Sequence, residues 1–292
     1  MPTIQFALRV AALRVAASLA TEAPSKSALR PLPPSVFTAT GRVRYFAFGS
    51  NLDAAKMASR GANGTAIAYE SRWAATARDH RLAFNMRGFP PTEPAMAAIE
   101  GAPGDSCPGC VYECDRDAYE RLWLSEGGGM ARPGYEEIVV RVADADARHA
   151  DALALAARPW AKLRRDVPPS ARYLAIIETG ARGLGLDAHA DALAAMPRSD
   201  PSPPLKRVAA AHGVLAILAY RAGAASPLLR RLLAPQRALC FLFLYGGRSL
   251  PARAASEVAT ALVLAPTALL GASVQAVRRL AGRPPITFGP PK

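Results

Sequence analysis

The amino-acid sequence predicts an α+β domain, and three observations predict it. Short apolar-polar alternations recur at 81–85, 110–114 and 135–142, a few segments between them have helical spacing, and 51% hydrophobic against 20% charged residues supplies a sizeable core for a 292-residue chain. That composition excludes a disordered chain and a coiled coil, and the 26 Pro and 22 Gly predict many turns. The alternation of short strands with few helices argues against a long βαβ series.

Each element follows in order. Val-Arg-Tyr-Phe-Ala-Phe at 43–48 is a β-prone run that stops at Gly49-Ser50-Asn51, after which Leu52 to Met57 has the composition of a helix start. In a strand-turn-helix of this kind Gly49 lets the backbone approach a ligand closely, and the amides of Ser50, Asn51 and Leu52 are natural donors to a carboxylate or an oxyanion. Arg81 to Asn85, Cys110 to Cys114 and Tyr135 to Val142 read as strands. Asp117 to Gly127 reads as a helix closed by glycines, and an Ala/Leu-rich helix is predicted over 171–195.

The formal charge of +13 sits at the two ends. Residues 1–44 hold six Lys and Arg against Glu22 alone, and residues 205–292 hold 12 against Glu257 alone, which leaves the middle slightly acidic. Residues 1–36 are rich in Ala, Ser and spaced Arg and lack the uninterrupted apolar run of a secretory signal. They predict an organelle transit peptide, mitochondrial or plastid, with an ordinary N-terminal tail of a cytoplasmic protein as the alternative. The expected organisation is a targeting or disordered extension over 1–42, a folded domain over 43–197, a Pro-rich linker over 198–204 and a basic, apolar helical extension over 205–292. Within that extension the runs 208–220, 238–245 and 258–277 are flanked by Arg, and the last is free of charge for 20 residues. Helices on an anionic membrane, or a soluble bundle with Arg on its outer face, both fit this pattern. No basic stretch is interleaved with aromatics for base stacking, so nucleic acid is not an expected partner. Cys107, Cys110 and Cys114 lie close together without a second pair or His ligands at metal spacing, which argues against a metal site, and the four Cys are too few for a disulfide scaffold.

Several motifs taken together carry a resemblance. Tyr45-Phe46-Ala47-Phe48-Gly49-Ser50-Asn51-Leu52 resembles the opening strand and substrate loop of the gamma-glutamylcyclotransferase family, which usually has Tyr at the position of Phe48. Leu124-Ser125-Glu126-Gly127 resembles the segment that carries the family's catalytic glutamate, with Gly109 and Val111-Tyr112 before it at the usual interval. Pro169 to Leu174, followed by Gly180-Ala181-Arg182 and Gly185-Leu186, is similar to the family's C-terminal helical signature.

The resemblance implies a small mixed β-barrel flanked by helices, to which the C-terminal extension adds further helix. It implies cyclisation of a γ-glutamyl amide to 5-oxoproline, with no metal or cofactor and a small γ-glutamyl molecule as the partner. Glu126 is the implied catalytic residue. The substrate's ammonium must lose a proton before it can attack its own γ-carbonyl, the departing amine must regain one, and a single carboxylate can do both. Tyr45, Phe46, Ala47, Phe48, Gly49, Ser50, Asn51 and Leu52 match the substrate-loop positions, Tyr173 matches a substrate-contacting tyrosine, and Tyr135 falls where an aromatic follows the glutamate. The glutathione-specific branch usually reads Gly-Ser-Leu, so Asn51 favours γ-glutamyl amino acids. The alternative is a non-catalytic carboxylate-binding or γ-glutamyl-binding module of the same fold, tethered to a membrane by its tail.

Overall fold

A computed structural model describes residues 30–60, 66–129, 132–221, 235–236, 239–240 and 250–286. The expected transit segment up to residue 29 and all but two residues of the apolar run 238–245 lie outside the described residues.

Five strands close into a barrel: β1 (Val43–Ala47), β2 (Ser71–Phe89), β3 (Glu93–Cys114), β4 (Tyr135–Ala143) and β5 (His149–Ala157), in the order β1-β3-β2-β4-β5. Neighbours run antiparallel except at the closure, where β1 and β5 pair in parallel with Tyr45 opposite Leu153. The structure thus has the mixed α+β barrel that the sequence and its resemblance led us to expect.

The β2–β3 hairpin is much longer than the segments 81–85 and 110–114 suggest, because its pairing continues through irregular registers at Arg78/His80 and Ala83/Met86. β5 carries no strong β-formers. Its Leu153 and Leu155 alternate with Ala, a weak pattern in a helix-favouring composition. It becomes a strand by pairing along its whole length with β4, from Tyr135↔Ala157 to Ala143↔His149.

The helices lie outside the barrel. α1 (Ala54–Ala58) starts at Asp53, whose side chain accepts from the Lys56 amide at 2.6 Å. α2 (Arg116–Ser125) starts at Asp115, which accepts from the Ala118 amide at 2.6 Å, and it buries Ala118, Tyr119, Leu122 and Trp123 along one stripe. α3 (Ala171–Arg182) is capped by Ser170 and buries Tyr173, Leu174, Ile177 and Ala181. The single helix expected over 171–195 is two helices, because the chain turns at Gly183 to Leu186, with Gly185 at φ +70°, before α4 (Asp187–Ala194).

Residues 30–42 pack on the barrel. Val36 is fully buried, Phe37 pairs with Val43, and Arg30 pairs with Glu120 and Glu137 and lies over the Trp123 ring. The packed unit therefore begins before Val43. At the other end α5 (Pro203–Arg221) begins within the stretch expected as linker, and Ser199 bonds back to the Pro169 carbonyl at 2.8 Å. α5 pairs with α6 (Leu250–Leu280), whose segment Ala255–Leu280 is long and apolar enough to cross a membrane by length and composition.

The strand-turn-helix at 43–58 is held from outside by α3. A Cβ on Gly180 would lie 2.4 Å from the Asp53 amide nitrogen and 2.5 Å from the Leu52 carbonyl carbon, so only hydrogen fits there. Backbone cannot give way as a side chain can. We predict that Gly180→Ala lowers stability by about 1–3 kcal/mol, read from the urea midpoint at unchanged slope. A wild-type midpoint would show that the two segments do not meet this closely.

Candidate functional site

β1 delivers Tyr45 and then breaks into the turn Ser50–Leu52, where all three residues are buried. Glu126 arrives from a different element as the C-cap of α2. Its place is set by the helix ending. Gly127 adopts φ +87°, its amide donates to the Leu124 carbonyl at 3.0 Å, and the Gly128 amide donates to the Trp123 carbonyl at 2.9 Å. This is the Schellman pattern, which needs a residue without a side chain at the left-handed position. The glycines after Glu126 therefore lock the helix end.

The side-chain amide of Asn51 connects the two elements. Its Nδ2 donates to Tyr45 Oη and to Glu126 Oε1, each at 3.0 Å. The Asn51 backbone carbonyl accepts from Tyr112 Oη at 2.8 Å, which fixes the turn to β3. Arg60, just beyond α1, completes the set. Its Nε donates to Asn51 Oδ1 at 2.8 Å, its Nη2 donates to Ser50 Oγ at 3.0 Å, and its Nη1 pairs with Glu126 Oε1 at 3.2 Å.

Electrostatics identify what else faces Glu126. The Tyr135 hydroxyl is pushed well above its ordinary range by burial, then by the Glu126 carboxylate and Tyr173. Tyr45 is raised by burial and by Glu126, and Tyr173 is raised chiefly by burial. These phenols are neutral donors at physiological pH. Lys56 is lowered by burial and by Arg60 and Arg172. Tyr173 Oη accepts from the Ala97 amide at 3.2 Å, beside Gly49.

Of the positions expected at the site, the structure brings Tyr45, Ser50, Asn51, Glu126, Tyr135 and Tyr173 together. Phe46, Ala47, Phe48 and Leu52 belong to the apolar core, with Phe48 beside Phe46 at 6.4 Å between ring centres. They support the turn through packing. The Leu52 amide, expected as a ligand donor, instead donates to the Gly49 carbonyl at 2.9 Å, because the turn closes on itself. Ser50 and Asn51 are left as the turn's candidate amide donors.

Sequence reasoning missed Arg60. It lies outside the recognised motif, and one Arg among 36 basic residues stands out only once the fold places it. The Cys cluster stays apart from this chemistry, for burial pushes the thiols of Cys107, Cys110 and Cys114 up to about 12, where they are protonated and poorly nucleophilic.

Asn51→Asp tests the network. It keeps the shape of the side chain but replaces a donor by a negative charge 3.0 Å from Glu126 Oε1. We predict a loss on the order of 2 kcal/mol at pH 7 by chemical denaturation. The deficit should narrow as the pH falls through the carboxylate range, because one proton shared by the pair removes the repulsion. A deficit independent of pH would show that the amide does not face the carboxylate.

Comparison with known proteins gives the family. A search of curated proteins finds the gamma-glutamyl cyclotransferase GliK of Aspergillus fumigatus, 31% identical over 209 residues that span 62% of this chain and 71% of that protein. Among solved structures, an uncharacterized protein from Homo sapiens is 26% identical, covering 55% of this chain and 90% of that one with a TM-score of 0.45. A structure named gamma-glutamyl cyclotransferase is 25% identical over the same shares, also at 0.45. A scan against protein-family models finds no match. On the extent of its similarity to GliK, the chain belongs to the gamma-glutamyl cyclotransferase family.

Proposed function

We propose that this protein cyclises a γ-glutamyl amino acid or amide to 5-oxoproline and releases the free amine, with Glu126 as general base and then general acid. The observation that carries the reading is the carboxylate of Glu126 hydrogen-bonded to Asn51 of the turn that would receive the substrate. Family membership supports a cyclotransferase-like function in general.

The chemistry follows from the arrangement. The γ-glutamyl group brings a carboxylate, and Lys56 near the turn is a cation that favours an anion there. Glu126 takes a proton from the substrate's ammonium, and the freed amine attacks the γ-carbonyl carbon in the same molecule. Orientation of this kind is worth on the order of 7–11 kcal/mol in well-aligned systems. The tetrahedral oxyanion is stabilised by N–H donors of the turn and by the neutral phenols of Tyr45, Tyr135 and Tyr173. Its collapse breaks the amide C–N bond as Glu126 returns the proton to the leaving nitrogen. Because Asn51 is occupied in holding Glu126, we assign its role to placing the base, and we retain γ-glutamyl amino acids as the favoured substrates.

The experiment is 5-oxoproline release from γ-glutamyl-alanine and from glutathione by the full chain. We expect turnover with preference for γ-glutamyl-alanine, and a loss of 10²-fold to 10⁴-fold, roughly the worth of a positioned general base, in Glu126→Gln. Binding of γ-glutamyl-alanine without turnover would favour the non-catalytic module instead.

A second reading concerns location. In the α5–α6 pair, buried polar groups accompany the buried Leu205, Val214, Leu215 and Leu264: His212 Nδ1 and Thr267 Oγ1 are 2.8 Å apart, and Thr260 is fully buried. Other large apolar side chains of α6 point outward, with Val258, Leu262, Leu269, Leu270, Val277 and Leu280 all exposed. An apolar outer face of this extent, with polar residues among those joining the helices, fits helices in lipid, where apolar side chains face acyl chains. We read the pair as a membrane anchor, with Arg278, Arg279 and Arg283 at the anionic headgroups. The full chain should float with phosphatidylglycerol-containing vesicles and sediment when Leu262 and Leu269 are both changed to Arg. Failure of the unaltered chain to float would overturn this reading. Organelle import through residues 1–36 is a further proposal, tested by the position of a fluorescent fusion.

A further inference from the structure

We propose that Arg60 is the positioning residue of this site: its guanidinium holds Glu126 against the substrate turn. The inference rests on the cyclotransferase reading and assigns a role to a residue outside the motifs that identified the site.

The geometry is that of a three-way fork. Arg60 reaches Ser50 Oγ at 3.0 Å, Asn51 Oδ1 at 2.8 Å and Glu126 Oε1 at 3.2 Å from three different nitrogens. A planar guanidinium with donors in fixed directions can satisfy three acceptors at once, whereas an ammonium is a point charge. The fork therefore sets the distance between turn and base. Its side chain is only 21% exposed and that of Glu126 only 12%, so water screens the pair little.

Glu126 needs such a partner for a second reason. As the C-cap of α2 it sits at the negative end of the helix dipole, where carbonyl oxygens gather and a carboxylate is disfavoured. The groups coupled to it from other elements are the phenols of Tyr45, Tyr135 and Tyr173 and the ammonium of Lys56. Arg60 is the cation in direct contact among the described residues. Burial acts to lower its own pKa, but the Glu126 carboxylate and the neighbouring tyrosines outweigh that and raise it, so Arg60 stays charged.

Both Asn51 Nδ2 and Arg60 Nη1 bind the same oxygen of Glu126, Oε1. In the proposed cycle that oxygen is held and Oε2 exchanges the proton with the substrate nitrogen.

The test compares pH-rate profiles of 5-oxoproline release from γ-glutamyl-alanine for the wild-type chain, Arg60→Gln and Arg60→Lys. In R60Q we expect kcat to fall on the order of 10²-fold, as for a catalytic group displaced by an ångström. The acid limb of the profile should move to higher pH, because a cation beside the carboxylate has gone. R60K keeps the charge and loses the fork, so its acid limb should stay at the wild-type position while kcat falls roughly tenfold. KM should change little in both. A role confined to stability would lower the thermal midpoint and leave the pH limb in place, and that result in R60Q overturns the proposal. If R60Q does not fold, R60K decides, since wild-type kcat there overturns it. A wild-type chain that turns over no γ-glutamyl substrate overturns the underlying reading, an outcome distinct from an active wild type with indifferent variants.

Discussion

The amide of Asn51 donates to Tyr45 on β1 and to Glu126 at the end of α2, while its oxygen receives Arg60 from beyond α1. These bonds join the barrel's first strand, the Ser50–Leu52 turn and the helix that ends at Glu126. A buried amide bonded on both its N–H and its carbonyl side tolerates no rotation, because flipping it would set like against like at each partner. The rest of the structure is arranged to keep it in place. Tyr112 fixes its backbone carbonyl from β3, and α3 closes over the following residues at Gly180. The Schellman ending of α2 brings Glu126 to meet it.

Around this point the fold divides its work. The core side chains of the motif, Phe46, Ala47, Phe48 and Leu52, give the turn a rigid backing, while Asn51 bonds Glu126 and Tyr45 and Ser50 join the network through Asn51 and Arg60. That division bears on Phe48, where the family usually has tyrosine. Here the ring packs with Phe46 in the core, and three phenols, Tyr45, Tyr135 and Tyr173, couple electrostatically to Glu126. The paired helices α5 and α6, which run parallel with Ser202 beside Glu257 and His212 beside Thr267, stand in contrast to the domain they follow. The barrel buries most of its large apolar groups, whereas α6 leaves Val258, Leu262, Leu269, Leu270, Val277 and Leu280 exposed.

Much of the fold and part of the site were legible in the sequence, for identifiable reasons. Strong local signals survived: the β-prone run ending at Gly49, the helix from Asp117 with its glycine stop, and the alternation at 135–142. β5 was not legible, because an Ala-rich strand is specified by its partner rather than by its own residues. The break near Gly185 was hidden by helix-favouring residues on both sides. Among site residues Glu126 and the turn stood out through their neighbours in sequence. Arg60 acts through distance in space, and its significance required the coordinates of Ser50, Asn51 and Glu126 together. The Leu52 amide shows the converse, since a donor that looked free in sequence is used up when the turn closes.

The most direct test of the account is a crystal structure of Glu126→Gln with γ-glutamyl-alanine bound, the substitution preserving shape while removing the base. The account predicts the substrate's α-nitrogen within hydrogen-bond distance of the substituted side chain, its γ-carbonyl oxygen directed at the Ser50–Leu52 turn or at the surrounding phenols, and Arg60 still bonded to Ser50 and Asn51. A substrate bound elsewhere, or one whose amine lies away from position 126, would contradict it.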